Sequence, residues 1–496
     1  MSGPAVRPAV RPAVRRAVRR AGPGLRASFA WTGAESVVNL VAALLTALLV
    51  GRIIGPAAFG LAALAWLFVS LAEVIVATLF VDPLIQRRHL DMAVVDAAFT
   101  AMLATGAALY LLILAAAPLL AWLYGRPALT ALLAVQGSTC VLRALRGAPE
   151  ALLARKLRFR ALAIRNIAAR IAGTAVALAA AWLGTGAWSV ILGNVAFAAI
   201  ATVTILPMIR RKPRLLLHPG HVRGLWSFGA FSMLDALLWT ATSRVFSFSV
   251  GYFQGIRVLG ELNFAFRIND TLCNLILAVT TRLALPIFSR LAEDRRRLEA
   301  AYLDGTRLVT LLVAPAFLGL AFISRELIAL ALGPDWTLAA PALVAVCLFS
   351  LFDFVCVLAH SVVKAVGRPA LLIAPNLIGL TYVAAGTVAV RRLGFTAELA
   401  VWVSWGAVFL LCSLRNIRTA LGTAFPAQLR VFAPALLPSL GMCAALAAVT
   451  LLHPAASPAT LLLKLAVGGA SYGLLVLVFE RPLVMQVLGR PVAAGG

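Results

Sequence analysis

The sequence predicts an all-α integral membrane protein with about fourteen transmembrane helices. Hydrophobic residues make up 62% of the 496 residues and charged residues only 12%, whereas a soluble domain has roughly 25% charged residues. Apolar stretches of the about 20 residues that cross a bilayer follow one another from about Ala27 to Glu480, and the connections between them are short. No stretch of the chain is left for a separate soluble domain.

Basic residues occur mainly in every second connection. Seven arginines precede the first apolar stretch, and further groups lie at 87–88, 155–160, 210–214 and 290–297. Because Lys and Arg concentrate in cytoplasmic loops, we predict that both termini lie in the cytoplasm. Topology then accounts for the net charge of +26, and no nucleic-acid partner is predicted.

A glycine motif occurs twice in the chain. Gly51, Gly55 and Gly60 return as glycines at 251, 255 and 260, an offset of 200 residues, and Glu35 matches Asp235 at the same offset. Since each motif ends an outward-going span, we interpret the glycines as turn residues. A dimerising Gly-x-x-x-Gly face is the alternative.

The repeat predicts two six-helix lobes and two additional helices. Six is even, so both copies enter the membrane from the same side, and the pseudo-twofold axis runs along the membrane normal. The predicted parts are a basic cytoplasmic tail at 1–26, an N-lobe at 27–208, a linker at 209–221, a C-lobe at 222–420, and two further helices with the C-terminal tail at 421–496.

Several short motifs carry a family resemblance. They are GPAAFGLAAL at 55–64, ARKLRFRALAIRN at 154–166, LGPDW at 332–336 and GRPA at 367–370. With the paired lobes, they resemble the polysaccharide transporter branch of the multidrug/oligosaccharidyl-lipid/polysaccharide exporter superfamily. The resemblance implies a flippase in the bacterial inner membrane that moves undecaprenyl-diphosphate-linked oligosaccharide to the periplasmic leaflet by alternating access. It also implies a monomer that works with membrane lipids, a polysaccharide polymerase and chain-length machinery.

Charged residues inside the spans are candidates for the transport site, since each costs about 2.5 to 3.5 kcal/mol at the bilayer centre unless it faces a cavity or a partner. A diphosphate favours arginine, which binds it in bidentate fashion. We predict substrate binding by Arg170, Arg244, Arg267, Asn39 and Asp353. We predict ion coupling, to H⁺ or Na⁺, by Glu35, Glu73, Asp235 and Asp270. Helix–helix hydrogen bonding is the alternative for each carboxylate, and an internal ion pair is the alternative for Arg267 with Asp270.

Other functions remain as alternatives. A drug or cation antiporter of the same superfamily would prefer an acidic cavity, and a flippase for a lipid-linked peptidoglycan precursor would use similar chemistry. A membrane glycan polymerase or glycosyltransferase would hold catalytic groups in a sizeable polar loop. The sequence has no such loop, no metal-ligand spacing and no phosphate-loop or nucleophile motif. We therefore predict neither an enzyme nor a cofactor.

Overall fold

The computed structural model describes residues 23–87, 90–209, 211–216, 219–291 and 294–479, and every regular element in these ranges is helical. Two π-helical turns, Thr46–Val50 and Ala77–Val81, follow α1 and α2, and two short 3₁₀ turns lie at Leu206–Met208 and Pro369–Leu372. The α-helices are α1 Pro23–Leu45, α2 Gly51–Val76, α3 Asp82–Gln86, α4 Met92–Leu123, α5 Ala128–Arg155, α6 Phe159–Trp182, α7 Trp188–Ile205, α8 Pro219–Phe253, α9 Ile256–Leu291, α10 Arg295–Leu332, α11 Ala339–Ala365, α12 Ile373–Val390, α13 Phe395–Leu421, α14 Phe425–Leu452 and α15 Pro458–Phe479.

The helices are long and apolar enough for a membrane. Ten helical stretches in the described ranges meet the requirements of a span, and the bent helix α14 gives an eleventh. One of them, Gly33–Ile85, has 53 residues, and as one straight helix at 1.5 Å per residue it would be about 80 Å long against a hydrocarbon core of ~30 Å. It is broken at Gly55, so it contains two of the predicted spans. The all-α integral membrane fold is confirmed, and the chain is a multi-pass membrane protein.

The repeated glycines have two different roles. Gly55 and Gly255 have φ angles of 74° and 98°, in the left-handed region that glycine adopts at little cost. The turn interpretation is confirmed for these two. Gly60 and Gly260 instead allow two helix backbones to touch: a Cβ on Gly60 would lie 1.9 Å from the Ile256 carbonyl oxygen, and one on Gly260 would lie 2.0 Å from that of Pro56. This contact is reciprocal, as a local twofold relation requires.

The chain forms two compact units. Unit 1 comprises the described residues up to Ala43, together with Val69–Ala177 and Ile191–Ala236. Unit 2 comprises Leu44–Phe68, Leu178–Val190 and the residues from Leu237 onward. The predicted lobe boundaries at 27–208 and 222–420 stay a prediction.

Small residues set the packing distances in unit 1. A Cβ on Gly106 of α4 would lie 2.7 Å from the Cβ of Ala144 on α5. A Cβ on Gly173 of α6 would lie 2.7 Å from the carbonyl oxygen of Gly193 on α7. Small residues at such crossings let membrane helices approach closely, and both crossings lie beside the polar site described below.

The segment that follows α7 in unit 1 is bound to α4. Asp96 is 2% exposed, and its Oδ1 accepts a 2.9 Å hydrogen bond from the Arg214 backbone N–H. The Thr100 hydroxyl accepts a bond from the Leu216 N–H at 3.0 Å and contacts the Leu216 carbonyl at 3.2 Å. Part of the predicted linker therefore has fixed backbone partners.

Arg155 completes the end of a helix in the same unit. Its Nη1 donates to the carbonyl oxygens of Leu84 at 3.1 Å and Ile85 at 3.0 Å, and also to that of Arg87. These carbonyls lie at and just beyond the C-terminus of α3, where a helix has no internal donors for them.

The last helix in unit 2 is joined to α10 by a buried ion pair. Lys464 Nζ of α15 lies 2.7 Å from Glu326 Oε1, and both side chains are 2% exposed. The same ammonium donates to the carbonyl oxygen of Phe322 at 3.1 Å. Neither charged residue was singled out from the sequence.

Candidate functional site

Unit 1 contains a cavity of about 480 Å³ that is rich in arginine. We call it the arginine pocket. Four guanidinium groups and one carboxylate are among its lining groups, so positive charge is in excess. Its polar and aromatic lining residues are Arg143, Arg146, Arg165, Arg170, Glu150, Asn39, Asn166 and Phe197.

Helices α5 and α6 supply the charged core of the arginine pocket. Arg165 Nη2 lies 2.8 Å from Glu150 Oε1, and Arg146 Nε lies 3.6 Å from the same oxygen. Arg146 and Arg165 are only 7% and 3% exposed. Arg146 Nε and Arg165 Nη1 are nevertheless buried with no hydrogen-bond partner among the described residues. The Glu150 carboxylate thus pairs with two buried guanidinium groups. Their remaining N–H donors are available to bind an anion.

Arg170 also lines the arginine pocket. Its Nε donates to Asn39 Oδ1 at 3.2 Å, and its guanidinium stands 4.1 Å from the centre of the Phe197 ring. The glycine crossing explains this geometry, because Gly173 and Gly193 lie one helical turn from Arg170 and Phe197 and bring α6 against α7. Two of the predicted substrate-binding residues, Arg170 and Asn39, therefore meet in the arginine pocket.

Two of the predicted ion-coupling carboxylates have hydrogen-bond partners in unit 1. Asn166 Nδ2 donates to Glu35 Oε1 at 2.5 Å, and Asn166 Oδ1 accepts from Arg165 Nη2 at 2.6 Å. Glu35 is therefore linked through one amide to the arginine pocket. Glu73 accepts a 2.6 Å bond from the Thr139 hydroxyl.

A second arginine cluster lies in unit 2. The Arg244 guanidinium stands 4.0 Å from the Trp66 ring centre, and that of Arg267 stands 5.1 Å from the Phe59 ring centre. Both arginines interact electrostatically with Asp270. Cation–π contacts at such distances are favourable, more so when water is excluded. These two arginines are thus stacked on aromatic rings of α2.

Asp353 and Asp235 lie apart from these contacts. Asp353 is half-buried on α11, in unit 2. Asp235 is half-buried on α8, in the part that belongs to unit 1, and has a partner of its own. Their predicted roles, like those of the other site residues, stay predictions. Over the described ranges, no group of three or more His, Cys, Asp or Glu side chains is arranged to hold a metal ion.

The sequence prediction did not include most of the arginine pocket. Arg143, Arg146 and Glu150 recur at intervals of three and four in a predicted apolar span, which places them on one helix face. The cost of charges in a span should have marked this face as a site. Arg165 required a further fact, namely that α6 turns it toward Glu150.

Solved structures identify the fold. The inward-closed lipid II flippase MurJ matches with a TM-score of 0.72 at 16% identity, over 92% of this chain and 99% of that one. An inward-facing multidrug resistance MATE family transporter of the MOP superfamily matches with a TM-score of 0.60 at 13% identity, over 80% of this chain and 98% of that one. The chain therefore has the fold of the MOP transporters.

The sequence identifies the family. A family model described as "Polysaccharide biosynthesis protein" matches residues 49–341, more than half of the chain. The chain belongs to this family, which confirms the resemblance found in its motifs. Succinoglycan biosynthesis transport protein ExoT of Rhizobium meliloti (strain 1021) is 26% identical over 89% of this chain and 90% of its own length. Lipopolysaccharide biosynthesis protein WzxC of Escherichia coli (strain K12) is 21% identical over 65% and 66%, respectively.

Proposed function

We propose that this protein translocates undecaprenyl-diphosphate-linked oligosaccharide from the cytoplasmic to the periplasmic leaflet of a bacterial inner membrane by alternating access. The observation that carries the proposal is the arginine pocket, which among the described residues is lined by four arginines and one carboxylate. The protein acts as a transporter and makes or breaks no covalent bond in the glycan.

The chemistry of the arginine pocket fits a diphosphate. Arg presents a rigid fork of donors that matches phosphate oxygens, and such contacts are strong in a water-poor site. Arg146 and Arg165 each keep a buried nitrogen with no hydrogen-bond partner in the described part of the chain, and leaving such donors unpaired costs free energy that an anion would recover. The volume of about 480 Å³ lies within the range of ligand pockets, roughly 300 to 1,000 Å³.

The position of the arginine pocket supports loading from the cytoplasmic side. Ile85, Ala154 and Leu162 line it, and they flank the basic groups at 87–88 and 155–160. By the positive-inside rule those groups face the cytoplasm, as do both termini in the proposed topology. The lipid tail would stay in the bilayer while the polar head crosses.

The relatives narrow the choice among transport functions. ExoT is named as a transport protein of succinoglycan biosynthesis and WzxC as a protein of lipopolysaccharide biosynthesis, so an exported polysaccharide is the proposed cargo. A cationic drug would be repelled by the arginine excess. A peptidoglycan precursor shares the diphosphate, and its sugar–peptide head group separates it from the proposed cargo.

The remaining features are also part of the proposal. Glu35, Glu73, Asp235 and Asp270 are the proposed ion-coupling residues, for H⁺ or Na⁺. The protein would act as a monomer beside a polysaccharide polymerase and the chain-length machinery.

Binding to the purified protein tests the proposal. In nanodiscs, an undecaprenyl diphosphate probe should bind more tightly than undecaprenyl monophosphate, and Arg170→Gln should weaken the diphosphate at least tenfold, since truncating a buried charge contact costs about 2 to 5 kcal/mol. Arg158→Gln is the matched control, because it removes the same charge from an exposed side chain outside the arginine pocket. Equal affinity for the two lipids, or unchanged binding by Arg170→Gln, would refute the proposal.

A further inference from the structure

The first turns of α2 contact residues of α9 and of the connection between α10 and α11, all in unit 2. Gly60 and Gly260 form the reciprocal backbone crossing described above. One residue before it, the Phe59 ring packs against Phe264 with centroids 6.4 Å apart and against Trp336 at 5.8 Å. Phe59 and Phe264 are 1% and 0% exposed. This end of α2 is thus held by backbone contact and by aromatic packing.

Two arginines add to the same contact. Arg267 stands over Phe59 and Arg244 stands over Trp66, so both rings of α2 carry a cation from α8 or α9. Arg244 Nε is buried and has no hydrogen-bond partner within the described ranges. The Trp66 face therefore satisfies this guanidinium only in part, and a better acceptor could draw Arg244 away.

The crossing joins the two copies of the glycine repeat. Gly60 follows the first turn, at Gly55, and Gly260 follows the second, at Gly255. In the predicted topology both turns lie on the outer side of the membrane. A transporter with alternating access must separate its helices there to release cargo, and this contact stands between α2 and the N-terminal end of α9.

We propose that the Gly60–Gly260 crossing and the two arginine–aromatic stacks form a latch: they hold α2 against α8 and α9 in this conformation, and they must part before cargo can leave on the outer side. The inference rests on the proposed transport function. The latch gives Arg244 and Arg267 a second role. The same face of each guanidinium can stack on an α2 ring or contact an anionic cargo, but it cannot do both at once. Cargo that engages these arginines would then weaken the latch.

The first experiment measures the latch without any cargo. Phe264→Cys in nanodiscs should react slowly with a water-soluble maleimide, since the side chain is buried. Adding Trp66→Leu should raise the labelling rate about tenfold, the shift expected when one arginine–ring contact is removed from a two-state equilibrium. Trp66→Phe keeps a ring face and should label slowly. Gly60→Ala should also speed labelling, because its Cβ overlaps a backbone oxygen, whereas Gly469→Ala, with nothing within 4 Å, should not.

The second experiment closes the latch covalently. The Phe68 and Phe248 ring centroids lie 6.3 Å apart, so Phe68→Cys and Phe248→Cys should be bridged by a short bifunctional methanethiosulfonate, which joins two thiols through reducible disulfide bonds. Glycan export by cells carrying this pair should stop after cross-linking and return after reduction, while each single cysteine variant continues to export. Full export with complete cross-linking, or a labelling rate unaffected by both Trp66→Leu and Gly60→Ala, would overturn the latch. The labelling arm contains no diphosphate lipid, so its result is separate from the test of the proposed function.

Discussion

Replacing Lys464 with methionine is expected to destabilise the protein, because the change leaves a buried carboxylate without its counter-ion. Lys464 Nζ lies 2.7 Å from Glu326 Oε1, and both side chains are 2% exposed. At this separation two unit charges attract by about 6 kcal/mol at an effective dielectric constant of ~20. Desolvation costs several kcal/mol per ion, so the intact pair contributes little in net terms. Loss of the lysine alone should cost about 3 to 5 kcal/mol.

A double-mutant cycle measures this coupling. Lys464→Met, Glu326→Leu and the double variant are compared with the parent by thermal unfolding in detergent, followed by tryptophan fluorescence. Each single variant should lower the unfolding midpoint. The double variant should return close to the parent, because two apolar side chains replace the pair without an unpaired charge.

The control and the refuting result are both direct. Lys156→Met removes an equal charge from an exposed position at the end of α5, and it should change stability by no more than about 0.5 kcal/mol. If the double variant loses as much as the two single variants together, the two side chains do not stabilise each other. The join between α15 and α10 would then depend on apolar packing alone.

Two further predictions concern the linker and the coupling site. Asp96→Ala removes the acceptor for the Arg214 N–H. Because a hydrogen bond to a charged group contributes about 1.5 to 3 kcal/mol, trypsin should cleave the variant between residues 211 and 214 at least tenfold faster than the parent. Asp91→Ala, which changes an exposed residue whose side chain makes no cap bond, should leave the cleavage rate unchanged. Equal cleavage of the two variants would mean that Asp96 does not hold the linker. Glu35→Gln keeps an oxygen for Asn166 but cannot ionise, so in proteoliposomes an imposed H⁺ or Na⁺ gradient should no longer accelerate translocation of the diphosphate probe; acceleration equal to the parent would remove Glu35 from the coupling site.

The sequence predicted the fold well because the bilayer imposes simple rules on a chain. Span length and apolar composition predicted the all-α membrane fold that the structure has, and the positive φ of Gly55 and Gly255 follows from the turn that the repeat required. The backbone crossing of Gly60 with Gly260 was not predicted, because the alternative interpretation of the motif was a dimerising Gly-x-x-x-Gly face. The motif therefore contains both a turn and a packing contact.

The candidate sites could be predicted only in part, for a physical reason. These helices are apolar around most of their circumference, so the sequence gives little information on how each helix is rotated about its axis. Arg165 meets Glu150 on the neighbouring helix, and Lys464 meets Glu326 across 138 residues of chain. Both pairs depend on helix rotation. Arg170 with Asn39 was recovered because each residue was recognised separately as polar within a span.

Arg155 shows that the number of arginines in a cytoplasmic connection overstates the positive charge available to lipid. Its guanidinium is occupied by the main-chain oxygens of Leu84, Ile85 and Arg87, at the negative end of a helix dipole. Arg155 also belongs to the basic group at 155–160, which was used to predict the membrane topology. The backbone carbonyls thus already neutralise part of the charge of Arg155. Fewer cations are therefore available to bind anionic lipid than the number of arginines implies. Lysine at position 155 would keep the number of basic residues unchanged, but it would lack the planar guanidinium that several carbonyl oxygens share.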